Sequence, residues 1–107
     1  MKLTIVLSTK HAETNWNALR LANLALQKGN KVSIFLLGEA VEYEVGNSDK
    51  YNIKQQIDTF LQSGKAKIVA CGTCMKLRYQ ESTDTCPMGG LEDFYSLVAT
   101  SDKVLTF

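Results

Sequence analysis

The spacing of the first two apolar runs constrains the fold more than any other feature of this chain. Residues 2–7 form a continuous, partly β-branched run, as in a strand covered on both faces. Residues 15–28 are helical in pattern, with Thr14 as the expected N-cap and Gly29 placed to end the helix in the left-handed conformation. Only Gly29 and Asn30 separate that helix from the next apolar run, residues 31–37. So tight a strand–helix–strand unit requires a right-handed crossover and parallel pairing. Ala18, Leu21, Ala22 and Ala25 make the stripe expected to face the sheet. Trp16, Leu19, Leu24 and Leu26 fall outside it and require either cover from the rest of the fold or a contact between copies.

The alternation continues. Residues 41–51 read as a short exposed strand or an ordered lid, since Val41, Tyr43 and Val45 alternate with Glu42 and Glu44 before a Gly-Asn-Ser-Asp turn. Ile53, Ile57, Phe60 and Leu61 share one helical face, and Gly64 lies past its end. A strand at 67–70, a short helix at 73–79, a loop at 80–90, a helix at 91–99 and a strand at 103–107 complete the chain. Glu92 and Asp93 suit the first turn of the last helix, with Phe94, Leu97 and Val98 expected to face inward. The expected architecture is therefore α/β: a three-layer sandwich with a four- to five-stranded, mostly parallel sheet in the flavodoxin-like order 2-1-3-4 and helices on both faces. With 107 residues, 45% of them hydrophobic, residues 1–107 suffice for a single domain.

Composition removes several functions. A formal net charge of +1, without a Lys/Arg stripe interleaved with aromatics, argues against nucleic acid as a partner. The N-terminal apolar run is too short for a membrane span, and no small-residue cleavage pattern follows it, so the expected location is cytoplasmic. Three cysteines are an odd number, and a core of this size needs no staples; a secreted disulfide framework is not expected. In a reducing compartment, thiols are kept for chemistry, metal or packing.

Chemistry points to Cys71-Gly72-Thr73-Cys74, where the strand Ile68-Val69-Ala70 breaks off and a helix begins. A thiol there emerges at the carboxyl edge of the sheet, where the unpaired N–H groups of a helix start favour the thiolate. Alternatively both cysteines are small buried hydrophobes. In the order 2-1-3-4, the loops after strands one and three border one crevice, which brings Ser8, Lys10 and His11 beside Cys71. Gly72 would let a reaction partner approach the backbone, and Thr73 would donate a hydrogen bond. Arg78, four residues beyond Cys74 on the same helix face, would stabilise a thiolate there. Cys86 can fold back from its loop as a resolving thiol or pack beneath it. A structural zinc site would need His11 or water as fourth ligand, so no metal is expected.

Val69 to Arg78, followed by Cys86-Pro87, Gly90-Leu91-Glu92-Asp93-Phe94-Tyr95 and Ser101-Asp102-Lys103-Val104, resembles the DsrE/DsrF/TusD-like family of small sulfur-handling proteins. So does the segment from Lys31 to Val41 after an Ala- and Leu-rich helix. The resemblance implies one DsrE-like domain, assembly into homo- or hetero-oligomers, and a sulfane sulfur carried as a persulfide on the cysteine after the third strand, which is Cys71. It implies sulfurtransferase-type transfer without a cofactor, between donor and acceptor proteins or small thiols. Cys74 and Cys86 depart from the sulfur-relay members, which have a small apolar residue where Cys74 stands. The extra thiols leave two other functions open, Cys-x-x-Cys thiol–disulfide exchange and a non-catalytic oligomeric binding or scaffold subunit.

Overall fold

The structure is a computed structural model that describes residues 1–84 and 86–107. Its elements are β1 (Lys2–Leu7), α1 (Ala12–Gln27), β2 (Lys31–Leu36), a 3-10 helix (Gly38–Gly46), α2 (Ile53–Leu61), β3 (Ala66–Cys71), α3 (Gly72–Leu77), β4 (Met88–Gly89), α4 (Leu91–Thr100) and β5 (Lys103–Thr106). All five strands pair in parallel, in the order β4-β3-β2-β1-β5.

The α/β sandwich and the parallel sheet match the sequence expectation; the strand order 2-1-3-4 does not. β3 lies beside β2, and β1 is flanked by β2 and β5. The reason lies in α2. Its Ile53, Ile57 and Phe60 join Ala18, Leu19 and Ala22 of α1 in one core against Ile5, Ile34 and Ile68, so both helices occupy the same face of the sheet. Right-handed crossovers on one face must step in one direction, which carries the chain from β1 to β2 to β3. Only the connection through α4 runs the other way, from β4 at one edge to β5 at the other, and α4 covers the opposite face.

The two faces are covered unequally. On the α1/α2 face, Ile5↔Ile34↔Ile68 and Leu7↔Leu36↔Ala70 form buried rows across three strands. Leu19 rather than Leu21 belongs to the stripe that α1 buries; Leu21 is exposed, and Trp16 packs at the margin beneath Arg20. On the other face, Val6, Phe35 and Val69 are buried, with the Phe35 ring stacked on Phe94 of α4 at 4.4 Å. Thr4, fully buried, shares a 2.6 Å hydrogen bond with Ser101 at the end of α4. Phe94 and Leu97 are only half-buried, and Val98, expected inside, is exposed.

Residues 41–51 form neither strand nor lid over most of their length. The 3-10 helix kinks at Glu42 and sends Ala40 and Val41 into the core. α1 begins earlier than its pattern suggests, with His11 as N-cap in place of Thr14, because the His11 carbonyl already accepts the Asn15 N–H at 3.1 Å. The stretch 80–90, expected to be loop throughout, contains β4, whose Met88 and Gly89 pair with Ala70 and Cys71. Only glycine fits at position 89, since a Cβ there would run into Val69 Cγ1.

Candidate thiol site

Cys71 is the last residue of β3 and the N-cap of α3. This double role follows from the break after the apolar run: β3 ends against Gly89 of the neighbouring strand, and the chain turns at once into a helix. Cys71 Sγ accepts the Cys74 N–H at 3.3 Å, as a capping side chain does. The turn also brings the Cys74 sulfur back, so that the two Sγ atoms are in contact, 2.7 Å apart. Cys74 Sγ in turn accepts the N–H of Gly38 at 3.2 Å. Gly38 follows β2 with φ +58, a left-handed conformation that glycine adopts without strain. Both thiols are half-buried.

Ionisation of Cys71 is not favoured in the way the helix start suggests. Burial raises its pKa above the ordinary thiol range, and the hydrogen bond to the Cys74 thiol raises it further. The N–H groups of Cys74 and Thr73 pull the other way, and burial prevails. α3 has only six residues, so few aligned peptides oppose the loss of solvent.

Cys86 is set apart from the pair. It is buried, belongs to the main core and lies on the wall of a cavity of about 270 Å³ lined also by Glu42, Tyr43, Glu44, Met75 and Gln80. Burial, then the Glu44 carboxylate, pushes its thiol up to about 11. Tyr43 on the same wall is raised to about 12, mainly by burial and secondarily by Cys86 and Glu44.

The remaining expected residues are dispersed. Because β2 separates β1 from β3, the loop after β1 stands two strand spacings, about 10 Å, from the loop after β3. Ser8 instead donates its hydroxyl to the Phe107 carbonyl at 2.8 Å, beside β5. His11 is exposed and contacts Thr14 Oγ1 through Nδ1 at 3.2 Å. The Lys10 carbonyl lies against Gly46, which links this turn to the far end of the 3-10 helix. The expected crevice uniting Ser8, Lys10 and His11 with Cys71 therefore does not form. Arg78 is also diverted from the thiols: its Nε donates to Glu42 Oε1 at 2.6 Å and its NH1 to the Cys74 carbonyl at 3.1 Å. Gly72 has room for a Cβ, with the Gly89 carbonyl at 3.5 Å, and Thr73 is exposed at the rim.

Gly38 and Glu42 carry roles that the sequence did not announce. Gly38 had a visible signal, a glycine directly after an apolar strand; Glu42 had none, because its partner lies far along the chain.

Fold and site together define a class, a five-stranded parallel α/β domain with a close thiol pair at the carboxyl end of an inner strand. The model of the DsrE/DsrF-like family matches residues 1–107, and the chain belongs to that family. It is 30% identical over 115 residues to the uncharacterized protein MJ0989 of Methanocaldococcus jannaschii, with all of both chains covered. It is also similar to the ychN protein of E. coli, whose crystal structure superposes with a TM-score of 0.79 at 26% identity and full coverage of both chains. Membership supports a sulfur-relay type of role at the level of the family. Among the described residues, no helix is long and apolar enough to cross a membrane.

Proposed function

We propose that this protein carries sulfane sulfur on Cys71. The Cys71 thiolate attacks the outer sulfur of a donor persulfide, the donor leaves as its thiolate, and Cys71–S–SH forms; a partner thiolate then takes the outer sulfur and restores the Cys71 thiolate. One observation carries this reading: a half-exposed sulfur at the end of an inner strand, met by the N–H of Cys74. Thr73 at the rim and the backbone beside Gly72 border the approach of the incoming sulfur. Ser8, Lys10, His11 and the Arg78 guanidinium have no part in this step. Partners are persulfide donors and thiol acceptors, and the exposed apolar side chains Leu91, Tyr95 and Val98 of α4 support self-association.

The test uses reduced Cys74→Ser protein incubated without oxygen with cysteine persulfide and read by intact mass and peptide mapping. One sulfur should localise to Cys71, and none to position 71 once Cys71→Ser is added. A Cys74→Ser protein that gains no sulfur at Cys71, or gains a whole cysteine there, refutes the reading. The 2.7 Å sulfur contact also favours thiol–disulfide exchange by Cys71 and Cys74. A reduction potential too oxidising for the disulfide to form in a glutathione buffer would remove that second reading.

A further inference from the structure

The contact between Cys71 and Cys74 has a chemical consequence for any persulfide formed at Cys71. We infer that Cys74 is a resolving thiol that converts the Cys71 persulfide to a Cys71–Cys74 disulfide and releases the outer sulfur as hydrosulfide, so that the chain delivers free sulfide as well as bound sulfane sulfur. The inference rests on Cys71 being the persulfide-bearing residue.

A persulfide has two electrophilic sulfurs, and the inner one is the atom that Cys74 already touches. Its Sγ stands 2.7 Å from Cys71 Sγ. The two sulfurs are thus in contact, within the reach from which a displacement begins. Gly38 N–H, bonded to Cys74 Sγ at 3.2 Å, helps to position the attacking sulfur. Cys86 is no competitor, being buried on the wall of a separate cavity.

The step balances without an outside oxidant. Cys74 sulfur forms a bond to Cys71 Sγ, the bond from Cys71 Sγ to the outer sulfur breaks, and the electron pair leaves with the outer sulfur. The outer sulfur leaves as hydrosulfide with the hydrogen it already carries, and the proton of the Cys74 thiol passes to solvent or to the departing hydrosulfide. The sulfane sulfur is reduced by two electrons and the two cysteines are oxidised by two. Return to the dithiol requires an external dithiol reductant, acting by ordinary exchange. In a reaction sequence, this chain would follow a persulfide-generating reaction and precede one that consumes sulfide. Because the resolving thiol belongs to the same chain, release is unimolecular and outpaces release by dilute external thiols.

The experiment treats reduced wild-type protein with one equivalent of cysteine persulfide without oxygen, measuring free sulfide and intact mass together. The expected products are one equivalent of sulfide and a protein lighter by two hydrogens, with the bond mapped to Cys71–Cys74. The Cys74→Ser protein should hold the added sulfur and release sulfide at least about a hundredfold more slowly. Wild-type protein that keeps the added sulfur as long as Cys74→Ser does would overturn the inference while leaving Cys71 a carrier. A Cys74→Ser protein that never loads would overturn both. A disulfide mapped to Cys86 would overturn the assignment of Cys74. The wild-type measurement stands without any variant, so a poorly folding substitution cannot obscure the result.

Discussion

Cys71 and Cys86 flank the same piece of sheet, since β3 ends at one and β4 begins just after the other, yet their environments are opposite. Cys71 is half-exposed, capped by an N–H and in contact with a second sulfur. Cys86 is 7% exposed and faces a small cavity with acidic residues on its wall. Position near a strand end therefore does not by itself set a thiol's reactivity; access to the sulfur separates the two. The largest measurable difference should be alkylation. In native reduced protein at pH 8, iodoacetamide should modify the Cys71–Cys74 pair at least about tenfold faster than Cys86, a contrast that vanishes in denaturant. Equal native rates would break the distinction.

Alkaline titration sharpens it. An unfolded cysteine ionises near about 8.5, whereas folded Cys86 holds its proton to about 11. Between those values the unfolded state loses protons that the folded state keeps, so stability falls as pH rises through the window and levels off above it. Tyr43, raised to about 12, extends the loss, but its contribution begins only near pH 10, where an unfolded tyrosine titrates. Cys86→Ala should therefore flatten the decline of the urea midpoint from about pH 8.5 to about 10, reduce it between about pH 10 and about 11, and leave in place the part due to Tyr43. An unchanged decline would mean that Cys86 ionises in the fold as freely as in the unfolded chain. Cys71, raised chiefly by burial, should have an alkylation rate that still climbs beyond the ordinary thiol range.

The parts of this molecule that the sequence disclosed are those encoded locally. The apolar runs mark β1, β2 and β3, and the Cys-x-x-Cys spacing at a strand end marks the thiol pair. Strand order was not legible, because a run such as Ile34-Phe35-Leu36 is apolar on both faces and carries no sign of which edge receives the next strand. Proximity of His11 to Cys71 depends on β1 lying beside β3, and the strand between them removes it. Leu21 displaced Leu19 in the expected stripe because spacing alone cannot say where on the helix the stripe is centred, which is settled by α2 packing beside α1. β4 is too short for periodicity to register, and the turn of Arg78 toward Glu42 depends on the 3-10 helix, whose alternating residues resemble a strand.

Glu42 belongs to both thiol environments, since it pairs with Arg78, which holds the Cys74 carbonyl, and it also lines the Cys86 cavity. The Glu42 and Arg78 side chains are each 27% exposed, so their pairing contributes about 0.2–1 kcal/mol, as solvent-screened ion pairs do. Glu42→Gln keeps the shape and removes the charge. It should lower Tm by a few degrees at most, about what 0.5 kcal/mol gives in a domain of this size. The same loss loosens the wall over Cys86 and should narrow the alkylation contrast between Cys86 and the pair by about twofold, mainly through faster reaction at Cys86. An unchanged ratio would assign the protection of Cys86 to its packing in the main core rather than to the 3-10 helix. In that case the ion pair orients α3 without governing access to the cavity.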